Sequence, residues 1–177
     1  MMRRIRFIAA AVLLLCPAML RAVDPFVGRW NLDVQRSRYA SGACPKKMII
    51  EMRSEAPGVH YHSETQLTDG RLVSADYTAD YDERPVIVKG TRGILLPVSL
   101  KRGGPNVVIA TYTSGFQVMA ISRRVISAGG SVMTITTTSQ DALGRSATNI
   151  GVYRRTNSTA SDAFDLSKAQ ADLQVPK

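Results

Sequence analysis

Cysteine is nearly missing from this chain: it has two, Cys16 and Cys44, in 177 residues. Cys16 lies in a stretch that reads as a cleaved leader, so the remainder cannot close an internal disulfide and must be held by a buried core. Histidine is equally scarce, only His60 and His62, which leaves a catalytic zinc short of its three protein ligands. No apolar run reaches the roughly 20 residues of a bilayer span. There is no Gly-x-Ser-x-Gly elbow and no internal repeat, and the Gly103-Gly104 and Gly129-Gly130 pairs fall in hairpin turns rather than phosphate-cradling loops. Nothing specifies catalysis: no catalytic residue, cofactor or metal ligand is assigned, and the expectation leans away from an enzyme.

What is present starts with export. Met1-Met2-Arg3-Arg4-Ile5-Arg6 is a basic head, residues 7–15 are a short apolar run, and small residues follow. Residues 1–22 are therefore expected to be a signal peptide cleaved after Ala22, with cleavage after Ala18 as the alternative. Acylation of Cys16 would need a small residue where Leu15 stands. Of 23 basic residues, Arg3, Arg4, Arg6 and Arg21 leave with the leader, so 19 face 14 acidic ones and the net charge is +5 instead of +9. That charge is ordinary and scattered, with Lys46-Lys47, Lys101-Arg102, Arg123-Arg124 and Arg154-Arg155 as the only adjacent pairs. Those pairs read as solvated charge at strand ends, and no nucleic-acid partner is expected. The expected compartment is exported, periplasmic or extracellular.

Residues 26–155 alternate in short β-periods separated by turn signals. Phe26, Gly28, Trp30 and Leu32 oppose Val27, Arg29, Asn31 and Asp33. Tyr61 opposes His60 and His62, and Ala75, Tyr77, Ala79 and Tyr81 oppose Ser74, Asp76, Thr78 and Asp80. The stretches 85–89 and 94–100 are short and edge-like. Turns at 68–71, 102–105, 114–115, 128–131 and 141–144 carry hairpin glycines. The expectation is one all-β domain, 23–155, of about 8–10 antiparallel strands closed into an up-and-down barrel, with a two-sheet sandwich as the alternative. Residues 35–45 read as a loop with one helical turn, and 156–177 as either a short helix capped by Ser161 or a disordered tail.

Phe26-Val27-Gly28-Arg29-Trp30-Asn31-Leu32 and Ile150-Gly151-Val152-Tyr153-Arg154-Arg155 together resemble the first and last strands of the calycin superfamily, the lipocalins and fatty-acid-binding proteins. The 122–134 stretch is similar to a late hairpin of secreted bacterial lipocalin-like proteins. The resemblance implies that Gly28 and Trp30 sit at the closed end of the barrel, with Arg154 or Arg155 packed on the indole, a contact worth about 0.5–2 kcal/mol. Two features depart from the fatty-acid-binding branch. Residues 34–47 are too few for a helix-turn-helix lid, and Gly151 stands where an arginine would complete an Arg-x-Tyr carboxylate clamp with Tyr153. A clamp of that type is therefore not expected.

The inward parity marks Tyr61, Tyr77, Tyr81, Tyr112, Met133 and Tyr153 as candidate ligand-binding residues, next to the small Ala75, Ala79 and Gly151. They either line a cavity or fill the core. His60-x-His62-x-Glu64 shares a strand face, but Glu64 lies about 13 Å along the strand from His60, so solvated histidines are expected. Cys44 reads as a free or buried structural thiol. The expected function is an exported lipocalin-like barrel binding a small, mostly apolar ligand without catalysis. The alternative is a filled barrel acting as an envelope protein-interaction module, with a barrel enzyme on a lipid-like or aromatic substrate as the third. The sequence sets no oligomeric state.

Overall fold

The computed structural model describes residues 24–40, 44–91, 93–140 and 144–156. The leader and nearly all of the 156–177 tail lie outside them. Alternation of apolar and polar side chains builds eleven strands: β1 (Gly28–Leu32), β2 (Lys47–Glu55), β3 (Gly58–Gln66), β4 (Leu72–Ala79), β5 (Lys89–Gly90), β6 (Gly93–Ile94), β7 (Val98–Gly104), β8 (Val107–Ser114), β9 (Gln117–Ile126), β10 (Val132–Gln140) and β11 (Ser146–Thr156). The helical turn expected in the 35–45 loop is a single 3-10 turn at Val34–Arg36, capped by the Asp33 carboxylate. Among the described residues no helix is long and apolar enough to cross a membrane.

All pairings are antiparallel and the sheet runs β6-β5-β4-β3-β2-β1-β11-β10-β9-β8-β7. Strands adjacent in that order are consecutive in the chain except at one place, where β1 meets β11 with Trp30 opposite Arg155 and Leu32 opposite Tyr153. The two outer edges are also joined. Asp82 bridges Lys101 and Val86 bridges Val98, and Leu95 N–H donates to Val88 O at 2.9 Å. The stretch 82–90 thus lies against 93–104 as one pair and links β4 to β8, which makes an all-β, up-and-down barrel of the calycin type. A thin seam lies between β4 and β5, where the ladder holds only Ala75 with Gly90 and Asp76 with Lys89.

One end is plugged. Trp30 is fully buried, donates from Nε1 to Phe26 O at 3.0 Å, and carries the Arg155 guanidinium 4.2 Å from its ring centroid. Arg155 also donates to Val27 O at 2.6 Å and to Gly130 O at 2.8 Å, tying three chain segments together. Arg154 is not the partner of Trp30. Alternation turns it to the outer face, where it pairs with Asp33 at 2.9 Å. Gly28 is required beside this contact: its φ is +140°, and a Cβ there would stand 2.5 Å from Arg155 Nη1. A second guanidinium, Arg102, lies 3.9 Å over the Tyr81 ring and pairs with Asp24.

Candidate functional site

The barrel centre holds a charge. Ser122, Arg124 and Ile126 share the inner face of β9, and Arg124 is only 2% exposed. Its Nη2 donates to Tyr77 Oη at 2.9 Å and to Tyr112 Oη at 3.3 Å, and its guanidinium carbon lies 4.9 Å from the Tyr61 centroid. Tyr61 and Tyr77 stack at 4.8 Å, 14° from parallel. Arg124 Nε has no hydrogen-bond partner among the described residues. The expectation that Arg123-Arg124 is solvated charge at a strand end is corrected for Arg124. The two positions lie mid-ladder, opposite Thr136 and Ile135, and alternation sends Arg123 out and Arg124 in.

Burial pushes the Tyr61 phenol up and the Tyr77 phenol well above its usual range, with the Arg124 charge offsetting only part of the effect. Tyr153 is raised by burial and by Tyr39 beside it. For Arg124, burial works against the charge, but the three surrounding phenols outweigh it and its pKa is raised. The centre is therefore one permanent cation among neutral hydroxyls. Burial also pushes the Cys44 thiol up, so it stays protonated.

Two cavities adjoin at Met48, Tyr61 and Tyr112. The smaller, about 250 Å³, is bounded by Arg124, Ser122, Thr137, Asn149, Tyr39 and Tyr153 among others. The larger, about 530 Å³, is walled mainly by apolar groups including Val73, Ala75, Val88, Leu95 and Leu96, and lies along the thin β4–β5 seam. A volume of this size is within the range of small-ligand pockets, about 300–1,000 Å³. The arrangement is bipartite, with a chamber of mixed polarity bounded by a cation next to an apolar one.

Four sequence candidates meet here: Tyr61, Tyr112 and Tyr153 line the smaller cavity, and Tyr61, Tyr77 and Tyr112 the larger. Tyr153 donates to Met48 Sδ at 3.2 Å, and Gly151 gives it space, since a Cβ there would be 2.7 Å from Tyr153 Cε2. Tyr81 and Met133 line neither cavity. Tyr81 donates to Asp24 Oδ2 at 2.8 Å near the plugged end, and Met133 is fully buried, opposite Tyr153 and Ile126. Sequence reasoning missed Arg124 and Tyr39. The signal for Arg124 was its parity with Ser122 and Ile126. Tyr39 had none, because a loop has no period. His60 and His62 lie on the outer face and both contact Asp76 Oδ2, at 3.2 and 3.1 Å. Among the described residues no three His, Cys, Asp or Glu are grouped to hold a metal ion.

A barrel plugged by a tryptophan at one end and hollow around a polar centre is a known class of fold. The chain is similar in structure to zebrafish ileal bile acid-binding protein complexed with cholic acid (TM-score 0.50, 12% identity, 75% of this chain and 99% of that one covered). It is equally similar to the Schistosoma mansoni fatty acid binding protein in complex with arachidonic acid (TM-score 0.50, 13% identity, 75% and 97% covered). At such identity the likeness is one of fold. No protein-family profile and no curated protein matches the sequence.

Proposed function

We propose that the barrel binds one small, mostly apolar molecule carrying an acidic group, does no chemistry on it, and works outside the cytoplasm. The observation that carries this is Arg124. It is a buried cation with no carboxylate paired to it among the described residues, at the wall of a chamber of mixed polarity that adjoins an apolar one. Desolvating a guanidinium costs several kcal/mol, and an anionic headgroup would offset that cost through charge-assisted hydrogen bonds. The apolar chamber would take the rest of the ligand. The two similar barrels hold cholic acid and arachidonic acid, each an apolar body with one carboxyl group. A non-catalytic role is supported by phenols and a thiol that burial holds protonated, so none is a ready base or nucleophile.

Titration with a polarity-sensitive apolar fluorophore, followed by displacement, tests the reading. A long-chain acid should displace the probe about tenfold or more better than the alcohol of the same length, since a hydrogen bond to a charged group is worth about 1.5–3 kcal/mol. Absence of any probe signal, together with no co-purifying compound in native mass spectra, would favour a filled barrel acting through its surface. Export is tested separately by the N-terminus of the protein from its own source, expected at Val23 or Met19.

A further inference from the structure

Of the eight large apolar side chains exposed among the described residues, all but Val34 lie on one flank of the barrel, between 87 and 96 and between 116 and 121. Strand register makes them neighbours. Val118 lies opposite Thr113, and Tyr112 lies opposite Val98, which bridges Val86. One residue further along, Thr113, Pro97 and Ile87 align, and Thr113 N–H donates to Pro97 O at 3.1 Å. Tyr112, Val98 and Val86 pack into the barrel, so alternation turns Val118, Thr113, Pro97 and Ile87 outward as one row. The next outward row is Ile121, Thr111 and Ser99, continued by Pro85 in the same register. None of these eight residues carries a charge. Charges only border them: Arg123 on β9, the Lys101–Glu83 pair at 2.7 Å, and Lys89 beside Asp76. Phe116, fully exposed at the tip of the β8–β9 turn, and Ile94, 75% exposed on β6, extend the face.

The seven exposed side chains present on the order of 700 Å² of apolar surface, against about 300–600 Å² for the largest patch of an ordinary monomer and ~800 Å² per partner in a standard interface. A neutral sheet face fits another sheet face about 10 Å away. On a two-fold axis each copy meets the same surface, so a charge inside the face would confront its own image. The two rows have none. We propose that this flank pairs with the same flank of a second copy of this chain, giving a two-fold dimer. Pairing does not depend on the ligand reading above.

Sedimentation velocity over about 1–100 µM tests the pairing, because mass action makes a dimer appear with concentration. Intact mass fixes one common N-terminus for every variant, and reductant keeps Cys44 from cross-linking copies. Neither the apolar run at residues 7–15 nor a disulfide can then account for association. The parent is expected to pass from monomer to dimer and no further, and the dimer to persist at high salt, since no ion pair carries it. Ile87→Lys and Val118→Lys each put a charge into the paired face and should weaken the dimer by about tenfold or more. Val34→Lys, the same change at the exposed apolar residue off the flank, should leave it as in the parent. All three side chains are exposed in the single copy, so the melting temperatures of the variant monomers should agree. A parent that stays monomeric through the range overturns the proposal, whatever else the flank then binds. So does a dimer that ignores Ile87→Lys and Val118→Lys, one that Val34→Lys weakens equally, or assembly that continues past two copies.

Discussion

At the residue scale, Arg124 is a charge taken out of water. A buried guanidinium forfeits hydration worth several kcal/mol, and among the described residues it gains two phenol hydrogen bonds and one ring face. Replacing a buried ion pair with apolar side chains of similar volume is often neutral or stabilising, and here no carboxylate among the described residues would be left unpaired by the loss of the guanidinium. Arg124→Met is therefore expected to melt at the same temperature or higher than the parent. It should lose about tenfold or more in affinity for an acidic ligand, since a hydrogen bond to a charged group is worth about 1.5–3 kcal/mol, while holding a neutral apolar probe as before. Calorimetry and probe displacement on the same variant check this together, and a lowered melting point with unchanged acid affinity would make the arginine a structural group. The pH profile follows from the same residue. The guanidinium does not titrate and the phenols are held up by burial, so acid affinity should be flat through neutrality. Binding favours the ionised ligand, so affinity should fall as pH drops below the free ligand's carboxyl pKa, about 4–5 by analogy with side-chain carboxyls.

At the scale of the element, two kinds of information separate. Alternation along a strand says which face a side chain takes, and on that basis the inward tyrosines of β3, β4 and β11 were legible in the sequence. Alternation does not say how far along the barrel axis a residue sits. That depends on pairing register, which no local pattern contains. Tyr77 and Tyr81 share a parity, yet Tyr77 meets Arg124 while Tyr81 is sealed between Asp24 and Arg102. Between the two arginines for Trp30 alternation is enough, because residue 155, not 154, shares the inward parity of Tyr153; register then sets Arg155 opposite Trp30. The Arg124 site stayed hidden for another reason: a run of two arginines reads as surface charge unless the strand is known to continue through it. The plugged end yields a prediction. Gly28→Ala places a side chain at φ +140° and 2.5 Å from Arg155 Nη1, so it should cost about 1–3 kcal/mol from backbone strain alone. Arg154→Ala, which removes only an outer-face pair, should shift the denaturation midpoint far less. Urea unfolding of the two variants gives the comparison.

On the scale of the whole molecule, the interior phenols gather from one hairpin, where Tyr61 and Tyr77 are cross-strand partners, and from a strand farther round the sheet. Tyr61 is on β3, Tyr77 on β4 and Tyr153 on β11, and burial raises the pKa of all three. In the unfolded chain each would ionise near pH 10. A folded barrel keeps those protons after the unfolded chain has shed them, so stability from these groups is complete below about pH 10 and declines as pH rises above it. Phenols buried this deeply cannot become charged while the ring stays shut and its centre dry. Tyrosinate absorbance for the buried set should thus appear in a single step, at the pH where the β-sheet circular dichroism collapses. Gradual ionisation with the sheet signal intact would mean that water already reaches Arg124 through the β4–β5 seam. The cation would then be solvated rather than held for an anion, and the energetic reason for an acidic ligand would be gone.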